Sequence, residues 1–500
     1  MKFWIAAALG VALAACSAGA QEDTETANTD GARVFTSDGQ VTANGQRIRY
    51  RVTAGEMILN GEDGEPNAAI FHTAYIREGT GDPTERPVAF IFNGGPGSAS
   101  LWLHMGVFGP RRVVLPSDAT DDGAPPYPIV ANEHSILDVA DLVFVDPVGT
   151  GWSHPVGDTD TGEFWGVRED AASLGAFIRR WLTENRRWNS PKYLLGESYG
   201  TTRIAALMNE LQGGWTDVSI NGVALISTVL DFRFDDTSEG NDIGYTGLVP
   251  GFAATAWYHG KVDRGAWNND LEAFIQDSRD FTYDTYMPAL MRGVSLPEDQ
   301  RRAVAEELSR FIGLDADYLV RANLRVSLSR FMRELRRDEG LSVGRLDSRY
   351  TGMEPDGVGE DPDYDPSAYG IDGAYTAAML DYFTRELGVD ITDEYSVIDI
   401  PTAVGWDRST GQGPAYTNVG PWLARAMRQN SDLDVLVAQG YYDLATPFFG
   451  AELMFNQPGF DPERVHFRYY ESGHMMYIHE PSLEAVAEDV RELIRGELEG

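Results

Sequence analysis

The segment Gly196–Gly200 reads Gly-Glu-Ser-Tyr-Gly and has the pattern G-x-S-x-G, in which a serine can act as a nucleophile. It follows the apolar run Tyr193–Leu195 and precedes a helical pattern over Thr201–Leu211, so it occupies a strand-to-helix turn. Such a turn pushes the serine side chain outward and admits only small neighbours, while the helix N-terminus favours negative charge beside it. The pattern predicts Ser198 as the nucleophile; a plain turn is the alternative.

A serine nucleophile needs a base, and an acid that orients the base. His474 follows a glycine in a loop just before the C-terminal helical pattern, which makes it a better candidate than His466 in a strand-like run or His479 at a helix start. Asp443 follows the apolar run Val435–Ala438, at the carboxyl end of a predicted strand. The chain order Ser, Asp, His therefore predicts Ser198, Asp443 and His474 as a catalytic triad.

An oxyanion hole needs two backbone N–H groups, one directly after the nucleophile and one from a loop after an earlier strand. Tyr199 supplies the first. The apolar run Val88–Phe92 leads into Asn93–Ser98, which holds three glycines and a proline. A loop with so few side chains exposes its backbone, so the Gly95 N–H is predicted as the second donor; a turn without a catalytic role is the alternative.

Short apolar runs recur along the chain, and helical patterns lie between them. Such runs are typical of strands buried on both faces of a parallel sheet, and their alternation with helices predicts an α/β fold. Before them, residues 34–86 show alternating apolar and polar positions separated by glycine turns, which predicts an antiparallel meander. The apolar runs are Val88–Phe92, Leu142–Val145, Tyr193–Leu195, Val223–Ile226 and Val435–Ala438.

The region 233–399 differs in character and is interpreted as a helical cap inserted between two core segments, 34–232 and 400–500. Helices are predicted over Pro297–Ile312 and Tyr318–Arg337. An acidic loop, Glu354–Asp365, lacks the spacing of an EF-hand and is interpreted as a solvated loop, although cation binding there stays open.

The only cysteine of the chain, Cys16, follows an apolar stretch and the residues Leu-Ala-Ala. This arrangement resembles the lipobox of bacterial lipoproteins, with a signal peptide over 1–15 and lipid attached to Cys16; an ordinary secretory peptide is the alternative. Residues 16–33 are interpreted as a flexible tether. We therefore expect export and anchoring on the periplasmic or outer-membrane side of a Gram-negative bacterium, with no internal disulfide.

The whole chain has 500 residues, with 77 acidic and 40 basic side chains and a formal net charge of −37. Nucleic-acid binding is disfavoured, because phosphate contacts need a surplus of Lys and Arg. Hydrophobic residues make up 43%, which is a globular composition. The zinc-protease motif H-E-x-x-H is absent from the sequence, and we expect neither a metal nor a cofactor.

Taken together, four separated blocks resemble the serine carboxypeptidases, peptidase family S10. They are Phe92–Ser100, Asp146–Ser153, Gly196–Gly200, and Asp443 with Gly473–Met475. The resemblance implies an α/β-hydrolase fold with a mostly parallel sheet and an inserted helical cap. It also implies removal of C-terminal amino acids through an acyl-enzyme, with attack by Ser198, proton transfer by His474, and orientation of His474 by Asp443.

The resemblance further implies that Asn93, Gly94 and Glu197 bind the terminal carboxylate of a peptide substrate. Two carboxylates in contact must share a proton, which favours an acidic working pH. Secretory relatives carry a cysteine where this chain has Ser98, and the stretch 227–232 departs from the usual family pattern, which leaves the adjacent pocket open. The preferred substrate residues and the oligomeric state are not predicted.

An esterase or acyltransferase on the same scaffold is the alternative function. Acyltransferase relatives often carry Asp where this chain has Glu197, so that residue favours a peptidase. A catalytically inactive binding protein would show a broken triad, and the sequence contains a complete one.

Overall fold

The computed structural model describes residues 31–212, 214–410 and 416–498. The predicted signal peptide, Cys16 and nearly all of the predicted tether lie outside these ranges. The last tether residues belong to the folded domain instead: Ala32 is buried, and Arg33 pairs with Glu56 at 2.5 Å and with Asp393 at 2.7 Å. In the described part of the chain, no helix combines the length and apolarity needed to cross a bilayer.

The strands, in chain order, are β1 Val34–Ala43, β2 Gln46–Asn60, β3 Pro66–Arg77, β4 Val88–Phe92, β5 Arg111–Val113, β6 Ile129–Ala131, β7 Asp141–Val145, β8 His154–Pro155, β9 Lys192–Glu197, β10 Gly222–Ile226, β11 Leu341–Val343, β12 Thr351–Met353, β13 Asp434–Gly440 and β14 Val465–Tyr470. The five predicted apolar runs all lie in strands. They are apolar throughout because β4, β7 and β10 are buried on both faces.

The main sheet has the order β1-β2-β3-β7-β4-β9-β10-β13-β14, with β8 paired to the outer part of β3. Pairing is antiparallel from β1 to β7 and parallel from β7 to β14. The predicted meander and the predicted parallel sheet are thus one continuous sheet. The carboxyl ends of the parallel strands share one edge, where Phe92 lies opposite Gly196 and Glu197 opposite Ile226.

The helices are α1 Leu101–Leu103, α2 Val167–Glu184, α3 Tyr199–Leu211, α4 Asp242–Tyr258, α5 Leu271–Phe281, α6 Met287–Arg292, α7 Glu298–Ile312, α8 Ala316–Arg321, α9 Leu328–Glu334, α10 Pro366–Arg385, α11 Ile400–Gly405, α12 Gly420–Gln429, α13 Phe448–Phe455 and α14 Glu480–Arg495.

Two apolar layers cover the sheet. One contains Phe90 and Phe92 of β4 and packs against α2, α3 and α12. The other contains Ala89 and Ile91 and packs against α10 and α14. Because alternate residues of one strand enter opposite layers, the strand is fixed in register and its end is held rigidly. This confirms the predicted α/β-hydrolase-like architecture.

The insertion between β10 and β13 forms a third apolar cluster around α4, α5 and α7, which also includes Tyr442 and Phe448 from the loop and helix after β13. Two details differ from the prediction. The helix expected over Tyr318–Arg337 is split into α8 and α9, because Asn323 and Leu324 adopt positive φ angles of 52° and 66°. Helix α10, predicted as part of the cap, packs on the sheet.

The acidic loop Glu354–Asp365 is held by arginines. Glu354 lies 3.7 Å from Arg333, and Glu360 lies 2.9 Å from Arg330. Within the described ranges, no group of three or more His, Cys, Asp or Glu side chains is arranged to hold a metal ion. The ion pairs explain how an acidic loop is accommodated against the insertion.

Candidate active site

The turn between β9 and α3 places Ser198 in an unusual backbone conformation, with φ 60° and ψ −130°. Its neighbours leave no room for larger residues. A Cβ on Gly196 would lie 2.6 Å from the Gly200 oxygen, and a Cβ on Gly200 would lie 2.8 Å from the Phe92 oxygen. The sequence-predicted elbow is therefore present, with the serine at the edge where the parallel strands end.

His474 and Asp443 meet at this edge. The Nδ1 of His474 lies 2.8 Å from the Oδ2 of Asp443, which follows β13 and is fully buried. Asp443 also accepts hydrogen bonds from the backbone N–H groups of Ala445 and Thr446 and from the Thr446 hydroxyl. Because the carboxylate can only accept, it fixes the Nδ1–H tautomer and leaves Nε2 of His474 facing other partners.

The backbone of His474 is also fixed. Its N–H donates to the Leu346 carbonyl at 2.6 Å, and its own carbonyl accepts from the Ser227 hydroxyl at 2.6 Å. Burial alone would lower the pKa of His474, but the charge and hydrogen bond of Asp443 outweigh it and raise the pKa above its usual value. The imidazole is thus prepared to accept a proton.

The glycine loop after β4 packs directly on the elbow. A Cβ on Gly94 would lie 2.6 Å from the Tyr199 nitrogen and 2.8 Å from the Ser198 Cβ, so only glycine fits. The next residue, Gly95, has φ 100°. Gly95, Ser198 and Tyr199 line one cavity. The structure therefore brings the two predicted oxyanion donors beside the nucleophile, and their role stays a prediction.

Asp146, from the second sequence block, supports this loop. It is buried and accepts a hydrogen bond from the Ser100 backbone at 2.8 Å and one from the Tyr395 hydroxyl at 3.0 Å. Ser100 in turn donates its hydroxyl hydrogen to the Val145 carbonyl. Burial raises the pKa of Asp146 to about 6. The block therefore positions the glycine loop and does not enter the cavity.

Glu197 lies next to the nucleophile in a buried hydrogen-bonded group. Its Oε2 accepts from the Asn93 side-chain amide at 2.7 Å and from the Tyr477 hydroxyl at 2.8 Å. Asn93 is oriented by the Leu103 N–H, which donates to its side-chain oxygen. Burial, as the largest cause, raises the pKa of Glu197 to about 7. At neutral pH this carboxyl can thus be a proton donor.

A buried ion pair lies beneath the elbow. The Arg203 guanidinium contacts Asp170 at 2.6 Å, donates to the Asn93 carbonyl, and lies 5.4 Å from the centre of the Tyr199 ring. Both charged side chains are almost completely buried. This pair ties α2 and α3 to the loop that carries Asn93.

The cavity at this edge has a volume of about 380 Å³. Its lining includes every predicted site residue of the described chain except Asp443, which lies behind His474. Several functional neighbours were not predicted. Thr446 and Tyr477 each lie three residues after a triad member, which is a signal that could have found them. Unpredicted residues that line the cavity include Phe232, Asp235, Arg345 and Asp372, and no motif marks them.

Comparison with known proteins agrees with this geometry. Residues 62–291 match the family model of the serine carboxypeptidases, Peptidase_S10. This part of the chain is therefore similar to the serine carboxypeptidases. The matched region includes the glycine loop, the Asp146 block and the elbow, whereas Asp443 and His474 lie beyond it.

Two plant relatives are similar in sequence. The chain is 28% identical over 214 residues to Serine carboxypeptidase-like 45 of Arabidopsis thaliana, covering 41% of this chain and 42% of the relative. It is 30% identical over 174 residues to Serine carboxypeptidase-like 10 of the same plant, covering 34% and 36%. The alignments thus span less than half of these relatives.

Among solved structures, Kex1Δp, a prohormone-processing carboxypeptidase from Saccharomyces cerevisiae, superimposes with a TM-score of 0.57. The superposition covers 90% of this chain and 92% of the yeast protein at 14% sequence identity. At that identity the likeness establishes the shared fold alone.

Proposed function

We propose that this protein is a serine carboxypeptidase that removes C-terminal amino acids from peptides through an acyl-enzyme. One observation carries the proposal: the buried Asn93–Glu197 pair lines the same cavity as Ser198 and His474. A hydrolase acting on internal bonds has no need for a protonatable carboxyl beside its nucleophile. A terminal carboxylate, in contrast, needs donors at that position.

In the proposed reaction, the Ser198 oxygen attacks the carbonyl carbon of the last peptide bond while His474 takes the hydroxyl proton. The N–H groups of Gly95 and Tyr199 stabilise the oxyanion. Collapse breaks the C–N bond, and His474 returns the proton to the departing amino acid. Water then attacks the ester, with His474 again as base, which releases the shortened peptide and restores Ser198.

Substrate binding should be coupled to protonation of Glu197. The carboxyl is protonated below its pKa of about 7 and can then donate to the substrate carboxylate. As the pH rises through about 7, Glu197 ionises and repels the substrate. Because Glu197 and His474 lie close enough to affect each other's pKa, they titrate together, and the productive form keeps the proton on Glu197 and leaves His474 neutral. Carboxylate binding is therefore favoured below about pH 7, down to the pH at which His474 also takes up a proton.

The test compares hydrolysis of a blocked dipeptide acid with that of its amide from pH 4 to pH 8. We expect a strong preference for the acid that weakens toward pH 8, and loss of turnover in Ser198→Ala. Equal cleavage of acid and amide at every pH would contradict the proposal. Turnover of esters without turnover of peptides would favour the esterase or acyltransferase alternative.

We also propose that the chain is an exported lipoprotein, anchored through Cys16 on the periplasmic or outer-membrane side of a Gram-negative cell. The support is the sequence pattern before Cys16 alone. Cells producing the full chain should incorporate labelled fatty acid into it, and Cys16→Ser should abolish the label while leaving activity in the lysate. A labelled Cys16→Ser protein would refute the anchor.

A further inference from the structure

The sheet order places two acidic groups on opposite sides of the nucleophile. Ser198 follows β9, which lies between β4 and β10. Asn93, the partner of Glu197, follows β4 on one side. Asp235 follows β10 on the other side, and its Oδ1 would lie 3.2 Å from a Cβ on Gly450, at the helix after β13. Both sides line the same cavity.

This arrangement assigns the two sides to the two halves of the scissile peptide, and the assignment rests on the proposed function. If the substrate carboxylate binds at Asn93 and Glu197, the departing residue occupies the β4 side. The residue that forms the ester with Ser198 then extends toward the β10 side. Asp235 is accordingly adjacent to the side chain of the acyl residue.

Asp235 is one of two acidic side chains lining the cavity whose carboxylates have no hydrogen-bond or ion-pair partner among the described residues; the other is Asp372. The charged side chains that most affect the pKa of Asp235 are Asp443 and Asp231, both acidic. Each of these already has partners: His474 for Asp443, and Arg233 at 2.5 Å for Asp231. Asp235 therefore faces the cavity without a positively charged partner within the described chain.

The remaining ionisable side chains that line the cavity do not compensate it. Glu197 is bound to Asn93 and Tyr477. Asp372 lies on α10, which packs against α1 on the β4 side, and burial raises its pKa to about 6. Arg345 lies 3.7 Å from Asp365, while His474 is bound to Asp443. Acidic groups therefore outnumber basic groups in the cavity.

We propose that Asp235 is a specificity-determining residue that selects peptides with a positively charged side chain, lysine or arginine, in the residue that is acylated onto Ser198. A cation held at this position supplies the partner that Asp235 lacks within the protein. An uncharged side chain leaves the half-buried carboxyl without a partner, and an acidic side chain adds repulsion.

The electrostatics make the selection depend on pH. Burial, followed by the charges of Asp443 and Asp231, raises the pKa of Asp235, so in the empty site this carboxyl keeps its proton to a higher pH than a free aspartate does. A bound cation favours the ionised form and displaces that proton. Selection for a basic residue should strengthen as the pH rises, opposite to the carboxylate binding at Glu197. The ratio of rates for two substrates with the same C-terminal carboxylate isolates the Asp235 effect.

The experiment measures kcat/KM for blocked dipeptide acids that have lysine or the uncharged norleucine as the acyl residue and the same C-terminal residue. We expect the wild-type enzyme to prefer lysine by about tenfold or more, and Asp235→Asn to remove most of that preference. The rate on the norleucine substrate should change much less than the rate on the lysine substrate. Asp372→Asn is the matched control, because it removes another carboxyl from the same cavity. We expect it to leave the ratio of lysine to norleucine turnover unchanged.

A second measurement separates this inference from the proposed function. Binding of the two dipeptide acids to Ser198→Ala is measured by calorimetry, with and without Asp235→Asn. Tighter binding of the lysine peptide that is lost in the double variant supports the inference even if the wild-type enzyme cleaves neither peptide, a result that would refute only the carboxypeptidase proposal. No preference for lysine in binding or turnover, or an equal preference in Asp235→Asn, would overturn the inference.

Discussion

The two sides of Ser198 differ in how an acidic side chain is hydrogen-bonded. On the β4 side, Glu197 is buried with hydrogen bonds from Asn93 and Tyr477, and Asn93 is itself held by the Leu103 N–H. On the β10 side, Asp235 faces the cavity with no hydrogen-bond or ion-pair partner in the described part of the chain. The protein therefore supplies hydrogen-bond partners to Glu197, whereas Asp235 receives none from the described residues.

This difference distinguishes residues that keep the site in position from residues that select the substrate. A polar group with all partners in place is rigid and costly to disturb, since each partner loses a bond when it is removed. A carboxyl without partners already carries an energetic penalty, which a ligand of the right charge can relieve. Substitutions on the two sides should consequently have different effects on stability and on substrate selection.

The largest expected effect compares the same substitution at two acidic residues. Asp170→Asn leaves the Arg203 guanidinium buried without its counter-charge, beneath the loop that carries Asn93. We expect a loss of about 3–5 kcal/mol in the free energy of unfolding. Asp235→Asn, in contrast, removes a carboxyl that ionises less readily in the folded state than in the unfolded state. The free energy of unfolding of this variant should therefore equal or exceed that of the wild type.

Denaturant unfolding at several pH values checks this pair. A carboxyl whose pKa is raised by folding destabilises the protein as the pH rises above its unfolded value, so the gain in Asp235→Asn should be absent near pH 4 and grow toward pH 7. Equal losses of stability in both variants would contradict the distinction between the two sides.

A second prediction tests how closely the β4 side is packed. Gly94→Ala would place a methyl group 2.6 Å from the Tyr199 nitrogen, one of the predicted oxyanion donors. Displacing such a donor should lower kcat by roughly 10²–10³. Gly81→Ala is the control, since nothing lies within 4 Å of its added Cβ. The measurement is kcat from steady-state kinetics on one dipeptide acid. An unchanged kcat in Gly94→Ala would rule out the Tyr199 N–H as an oxyanion donor packed against Gly94.

The smallest effect concerns pH. Glutamine cannot ionise, so Glu197→Gln should keep its donor above pH 7 and move the alkaline limb of kcat/KM, set by the wild-type pKa of about 7, to higher pH. The acid limb should stay in place, because Glu197 is already protonated and uncharged where His474 gains its proton. The readout is the pH profile of kcat/KM on a dipeptide acid. Asp372→Asn should leave both limbs in place, and an unchanged Glu197→Gln profile would assign the alkaline limb to another group.

Much of the β4 side was predictable because local rules determine it. A glycine loop after a buried strand and a G-x-S-x-G turn specify their backbone through sterics that act within a few residues. Likewise, Asp443 and His474 follow predicted elements at the edge where parallel strands end. The antiparallel meander, the parallel strands and the terminal helix were predicted for the same reason, from periodicity.

The insertion was predicted less well. Helices over Pro297–Ile312 and 318–337 both looked continuous, yet only the first is, as α7. The second breaks where Asn323 and Leu324 turn left-handed, a choice made by packing in the third apolar cluster and not by local propensity. Helix α10 lies within the predicted cap residues 233–399, yet it packs with the sheet, because its apolar face suits either the insertion or the sheet.

From the sequence alone, periodicity predicted the fold class and motif context predicted the triad Ser198, Asp443 and His474, because both depend on residues close in the chain or at the ends of neighbouring strands. The carboxylate pair Asn93 and Glu197 was implied only by the family resemblance. Only the tertiary structure decided which charges line the cavity. Asp235, Arg345 and Asp372 come from segments that meet through the insertion and α10. Whether a carboxyl there is neutralised depends on neighbours distant in sequence, and Asp235 has none of opposite charge among the described residues.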